Sequence, residues 1–219
     1  MRRDEAVDLL MGRLGSRNHA ATRQDAINEM VYVQTNLLEG DPTLPWFLLS
    51  ESTQTTTTID EERVALPSDF LQEWEEGALY IVTDDGDTVG MVKDDWDRIK
   101  ARVTGSGQPE YYAIGGNYFF LRKVPNKAYT LIMRYYAREA SVAGTYGAAV
   151  DTDGNIENNW LKWASDWFIA ETGIIIARQY LQSEPMLKLF VEQRAVAKKR
   201  LVDKDTIMQE TNIQRFMEG

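Results

Sequence analysis

The chain is predicted to be an α+β protein: a helical bundle of N- and C-terminal helices with an inserted antiparallel β subdomain. Three observations predict it. Apolar residues recur at helical spacing near both ends, as in Val7, Leu10, Met11 and Leu14. The middle is rich in Thr, Tyr, Val and Ile and is punctuated by Asp-Gly and Gly-Asn turns, the composition of short strands. Neither terminal pair of helices can bury its stripe alone, so the two pairs must close on each other. The 219 residues suit one domain, or one domain carrying an insertion. The expected divisions are 1–44 for the leading helices, 45–139 for the β-rich subdomain, 140–204 for a loop and the closing helices, and 205–219 for a C-terminal tail that stays flexible until docked.

Taken in order, Asp4 to Leu14 reads as a short helix ended by Gly15-Ser16. Thr22 can cap a second helix running to Leu38, with Asp25 in its first turn and Ile27, Met30, Val31, Gln34, Leu37 and Leu38 on one face. Gly40-Asp41-Pro42 stops it. Thr53 to Ile59 has high β-propensity, and Pro67-Ser68-Asp69 suggests a turn or one-turn helix reaching Phe70-Leu71. Ala78 to Val82 and Thr88 to Val92 form a hairpin across Asp84-Asp85-Gly86-Asp87, because these turn residues tolerate positive φ. Asp94 to Val103 suits a helix. Three further strands, Glu110 to Ile114, Tyr118 to Arg122 and Ala128 to Tyr136, complete an expected meander of about five. After a polar loop, Asn158 or Asn159 caps a helix from Trp160 to Gln182, and Ser183-Glu184-Pro185 separates it from a last helix through Leu201.

Composition excludes several chemistries. With no cysteine there is no disulfide, thiolate metal site or thiol nucleophile. The single histidine, His19, falls between two helices and reads as a loop residue rather than a base. Ser50 and Ser68 lack a nucleophile-elbow context. Asp151 to Glu157 places oxygen ligands at alternate positions, but glycine at the fourth and Lys162 at the twelfth break the calcium-loop pattern, so a solvated turn fits better. No catalytic residue, metal or cofactor is therefore assigned. No apolar run approaches the roughly 20 residues that span a membrane, and Arg2-Arg3 is followed by Asp4-Glu5 rather than an apolar leader core. The expectation is a soluble protein that folds in a cytoplasm. A net charge of −10 argues against a dedicated nucleic-acid binder but suits a wall past which DNA slides.

An ordered series of motifs goes further. Leu66-Pro67-Ser68-Asp69-Phe70 is followed by Tyr112-Ala113-Ile114-Gly115-Gly116-Asn117, then Pro125, then Tyr129-Thr130-Leu131-Ile132-Met133-Arg134-Tyr135-Tyr136, then Asn159-Trp160-Leu161. The series resembles the head-to-tail connector adaptors of tailed bacteriophages, the tail tubular protein A or head-completion adaptor-like family, over roughly Thr22 to Arg200. Gly115-Gly116 carries one glycine more than the family pattern, and Asp94 to Gly107 is a longer insertion. The resemblance implies a non-enzymatic virion protein at the head–tail junction. It implies a dodecameric ring assembled with the portal protein, closing the DNA-filled head and offering a platform to a nozzle, stopper or tail tube protein. Double-stranded DNA would pass through without specific binding. It further implies that the C-terminal tail docks on the portal, with Ile207, Ile213, Phe216 and Met217 as anchors.

Other residues suit subunit or channel surfaces. Trp74 and Trp96 lie among acidic neighbours, and Arg194, Lys198, Lys199 and Arg200 make a basic patch on an acidic chain; all six are subunit-interface candidates. Glu73, Glu75, Glu76, Asp84, Asp85 and Asp87 are channel-facing candidates. Trp160, Trp163 and Trp167, at i, i+3 and i+7, suit core packing. The alternative reading is an acidic cytoplasmic DNA mimic or a scaffolding module.

Overall fold

A computed structural model describes residues 1–15, 21–74, 77–101, 105–149 and 157–217, with side chains described outside 51–54 and 209–217. In chain order, α1 (Arg3–Leu14) and α2 (Arg23–Tyr32) lead into a π-helical turn (Val33–Leu38) and a short 3-10 turn (Trp46–Leu48). The strands follow: β1 (Leu49–Thr56), β2 (Arg63–Ala65), β3 (Phe70–Glu73), β4 (Leu79–Val82), β5 (Thr88–Gly90) and β6 (Val92–Lys93). Helix α3 (Trp96–Ala101) precedes β7 (Ser106–Gly107), β8 (Tyr111–Gly115), β9 (Tyr118–Arg122), β10 (Val124–Pro125) and β11 (Thr130–Ala137). The chain closes with α4 (Asn159–Trp163), α5 (Ser165–Gln179) and α6 (Glu184–Met217). Two compact units result, a helical one from Met1–Leu48 with Glu139–Gly219, and a β-rich one from Leu49–Arg138.

In the helical unit, α5 packs against α1, α2 and α6. Its sequence is apolar nearly all round, and Trp167, Phe168, Ile169, Ala170, Ile174, Ile176 and Ala177 are all buried, as a central helix requires. Thr22 and Asp25 cap α2 reciprocally: the Thr22 hydroxyl accepts the Asp25 amide at 3.1 Å and the Asp25 carboxylate accepts the Thr22 amide at 2.7 Å. The Thr22 hydroxyl also donates to that carboxylate at 2.7 Å, and this bond first, then the one from the Thr22 amide, holds the Asp25 carboxyl below its ordinary pKa.

Three helical boundaries differ from the periodic reading. Helix α2 passes into a π turn, in which the Glu39 amide donates to Gln34 O at 2.9 Å. There, Gln34 is almost wholly buried and its amide nitrogen reaches Glu39 Oε1 at 2.9 Å and the carbonyls of Glu139 and Ala140 at 3.3 Å. A stripe count cannot see a buried amide that satisfies loop backbone. The expected helix from Trp160 to Gln182 is two, because Ala164 leaves the helical region at φ −131°, ψ 25°, with neither Pro nor Gly to mark it. The last helix continues in helical backbone to Met217, past Lys204, where the periodicity weakens and a tail was expected. Its 34 residues span about 50 Å at ~1.5 Å each.

The β-rich unit is not the expected meander. β11 is central to a sheet of order β1-β11-β4-β5, with β3 also pairing β11, while β2-β9-β8-β6 forms a second sheet. Both contribute to one core. Leu131 pairs Ile81 and Met133 pairs Leu79 in register, and these side chains meet Tyr112, Phe119 and Leu121 from the other sheet. Pro67-Ser68-Asp69 makes a turn, but Phe70-Leu71 belong to strand β3 rather than to a helical turn. The β4–β5 hairpin forms where expected, with Gly86 at φ +86° and the Thr83 amide donating to Asp87 O at 2.8 Å.

Candidate functional site

The sequence motifs from Leu66 to Tyr136 lie together in the β-rich unit. The Leu66 amide donates to Asn117 O at 2.9 Å, joining the Leu-Pro-Ser-Asp-Phe segment to the β8–β9 turn. Phe70 stacks on Tyr135 with centroids 5.8 Å apart, and the Tyr135 hydroxyl donates to the Asp69 carboxylate at 3.0 Å. Burial and that carboxylate raise the Tyr135 pKa. The ordered motifs are thus staples between strands distant in sequence. In the helical unit the last motif acts likewise. Asn158 caps α4 by accepting the Leu161 amide at 3.0 Å, and Asn159 Nδ2 donates to the Glu139 carboxylate at 2.7 Å.

The acidic candidates divide. Asp84, Asp85 and Asp87 sit exposed in the β4–β5 turn, and Asp84 is paired with Lys127. Glu73 departs from the expectation of a channel-facing carboxylate. Its side chain is only 7% exposed, pairs with Lys93 and accepts the hydroxyl hydrogen of the fully buried Tyr112. A carboxylate so enclosed joins β3 to the second sheet and is spent on the fold. Burial first, then Glu73, pushes the Tyr112 pKa well above its ordinary value. Glu75 and Glu76 lie outside the described residues, as do His19 and the Asp151–Ile156 part of the loop that echoes a calcium site.

Both tryptophan candidates are half-buried in their own unit. Trp74 lies under the Arg134 guanidinium at 5.7 Å. Trp96 stands edge-on to Phe120 at 4.0 Å, with the Lys100 ammonium 4.4 Å from its centroid. Trp74 and Trp96 belong to the β-rich unit, and the basic patch is carried by α6 in the helical unit. There Arg194 reaches Glu171 at 3.8 Å and Lys198 reaches Asp41 at 3.1 Å, while Lys199 and Arg200 are exposed. Ile207 is 61% exposed on the same helix; the side chains of Ile213, Phe216 and Met217 lie outside those described.

The structure adds an aromatic cluster that the i, i+3, i+7 spacing only partly revealed. Trp160 and Trp167 are buried as core, with Phe47 edge-on to Trp160 at 5.1 Å. Trp163 is 37% exposed and leans on Trp46 at 5.3 Å. The ammonium of Lys204 lies 4.4 Å from the Trp163 centroid and that of Lys162 lies 5.1 Å away. A shallow groove beside it is lined by Trp163, Trp167, Ala197, Arg200, Leu201 and Lys204. Sequence reasoning also passed over Arg3. It is fully buried and its guanidinium donates to the carbonyls of Ala143 at 3.0 Å and Thr145 at 2.7 Å, tying the loop after β11 to α1.

The model of the SU10 adaptor protein family matches residues 4–197, across both units. The chain belongs to this family of phage head-to-tail adaptors. It is accordingly a structural phage protein of the virion, and adaptors of this kind interact with portal and tail components. No curated protein matches the chain. Among the described residues, no helix of this adaptor is long and apolar enough to cross a membrane.

Proposed function

We propose that this adaptor forms a dodecameric ring under the portal, closes the DNA-filled head and supplies the attachment platform for the next tail component. The family match over residues 4–197 carries the reading, because it takes in both the bundle and the β insertion. DNA leaves through the ring without specific binding. The net charge of −10 supports this, since an acidic wall repels phosphates. Helix α6 runs about 20 residues past the matched stretch, and its end, with Ile207, Ile213, Phe216 and Met217, is the proposed portal-docking segment.

Negative-stain electron microscopy of the protein, alone and mixed with its own phage's portal, tests this. A twelve-fold ring added to the portal is expected. Absence of any complex would overturn the reading and favour an acidic scaffold or DNA mimic. Deleting 207–219 spares Asp205, whose carboxylate accepts the Trp46 amide at 2.8 Å. That deletion should abolish portal binding while the near-ultraviolet tryptophan signal is retained; undiminished binding would refute the docking role.

A further inference from the structure

We propose that the groove beside Trp163 receives the acidic β4–β5 hairpin of a neighbouring copy of this chain. The inference rests on the ring reading above and deepens it by naming the two surfaces that meet. The groove floor is apolar, made by Trp163, Trp167, Ala197 and Leu201, and its exposed rim carries Arg200 and Lys204. Lys162 and Lys204 both stand against the Trp163 ring. Lys199 adds a further exposed charge on α6. One carboxylate, Asp166, is part of the groove lining and reaches Arg13 at 3.5 Å, and Asp203 is exposed on α6. A cationic rim around an exposed indole selects a short anionic segment that also has apolar surface.

The hairpin has that chemistry. Asp85 and Asp87 are exposed carboxylates outside the Asp84–Lys127 pair, and Val89 beside them is 46% exposed. The turn is already rigid, held by β4–β5 pairing and by the Gly86 amide donating to Thr83 O at 3.0 Å, so docking it loses little conformational entropy. The source of the anion follows from the charge balance. At −10 overall the chain repels copies of itself except where opposite patches meet, and the basic flank of α6 is where it can accept a copy. The two surfaces are different parts of one chain, so their contact is head-to-tail, the type that repeats around a closed ring.

The chain contains no cysteine, which makes site-directed disulfide trapping clean. Thr88→Cys and Asp203→Cys are placed in separate, differently sized chains, both at exposed positions flanking the proposed contact. The chains are mixed, with and without portal, and oxidised, and the same samples are imaged for rings. Rings with a predominant 88–203 crosslink are expected. Reversing Asp85 and Asp87 to Lys should lower the yield about tenfold or more, and adding Arg200→Glu with Lys204→Glu should restore it. The milder Asp87→Asn and Lys204→Gln should each weaken it without threatening the fold. Rings without that crosslink, or a crosslink indifferent to charge reversal, overturn the inference while leaving the ring intact. Absence of rings in every sample overturns the ring reading and this inference with it. Short duplex DNA that binds the groove and competes the crosslink away would assign the patch to nucleic acid instead.

Discussion

Gly173 lets α5 and α6 approach, and replacing it with Ala separates two opposing effects. In an exposed helix interior the change would stabilise by about 1 kcal/mol, because glycine carries excess backbone entropy. Here a Cβ at position 173 would lie 2.5 Å from Cδ1 and Cε1 of Phe190 and 2.7 Å from its Cγ. Phe190 is fully buried, so its ring cannot swing away into solvent. Overpacking of this kind costs about 1–3 kcal/mol, and three simultaneous overlaps place it at the upper end. A net loss of about 1–2 kcal/mol is expected, which for a chain of this size lowers Tm by about 2–8 °C. Urea titration and thermal melts, followed by far-ultraviolet circular dichroism, measure it. Gly173→Ala should also be partly rescued by Phe190→Leu, with a coupling of about 0.5–3 kcal/mol in the double-mutant cycle. A Gly173→Ala protein as stable as the parent, or strict additivity of the two changes, would refute the claim that this contact sets the helix spacing.

Three further outcomes follow from the geometry. Arg3→Met should cost about 2–5 kcal/mol and raise hydrogen exchange in residues 142–147, since it removes a buried charged donor from the Ala143 and Thr145 carbonyls. Tyr112→Phe should cost about 1–3 kcal/mol in urea unfolding by depriving Glu73 of a donor, leaving it Lys93 alone. The Tyr180 hydroxyl donates to Glu29 at 2.8 Å, and this bond, with burial, pushes its pKa up to about 12. An unfolded tyrosine ionises near 10, so the stabilisation is complete below about pH 10 and is lost as pH rises towards 12. Absorbance titration at about 295 nm should show, among the late tyrosines, a component that is lost in Tyr180→Phe and moves towards 10 in Glu29→Gln; an unmoved midpoint would break the assignment.

Much of the site was legible as motif but not as mechanism. Leu66-Pro67-Ser68-Asp69-Phe70 could be recognised in the chain, yet its work, Asp69 and Phe70 on Tyr135, depends on a partner over sixty residues away. Glu73 shows the converse. As part of an acidic run it suited a solvent wall, and only the approach of Tyr112 and Lys93 reveals a side chain inside the fold. Arg3 carried no signal, because a basic residue at a helix start has many roles and its carbonyl partners lie in a loop without periodicity.

The sequence by itself determined the class, the helices and most strands, the hairpin at Asp84-Asp85-Gly86-Asp87 and the family. These depend on local quantities: stripe spacing, capping at Thr22, turn residues that accept positive φ, and motif order. Tertiary structure alone decided that β11 rather than a meander organises the larger sheet, because strand partners are chosen by side-chain matching across the core, Leu131 with Ile81 and Met133 with Leu79. It alone decided that helix 160–182 breaks at Ala164 and that α2 widens around Gln34, since neither change is marked by Pro or Gly. Which charges are free for a partner was also decided there, because each carboxylate is free or spent according to the cation or hydroxyl that the fold brings within hydrogen-bond reach.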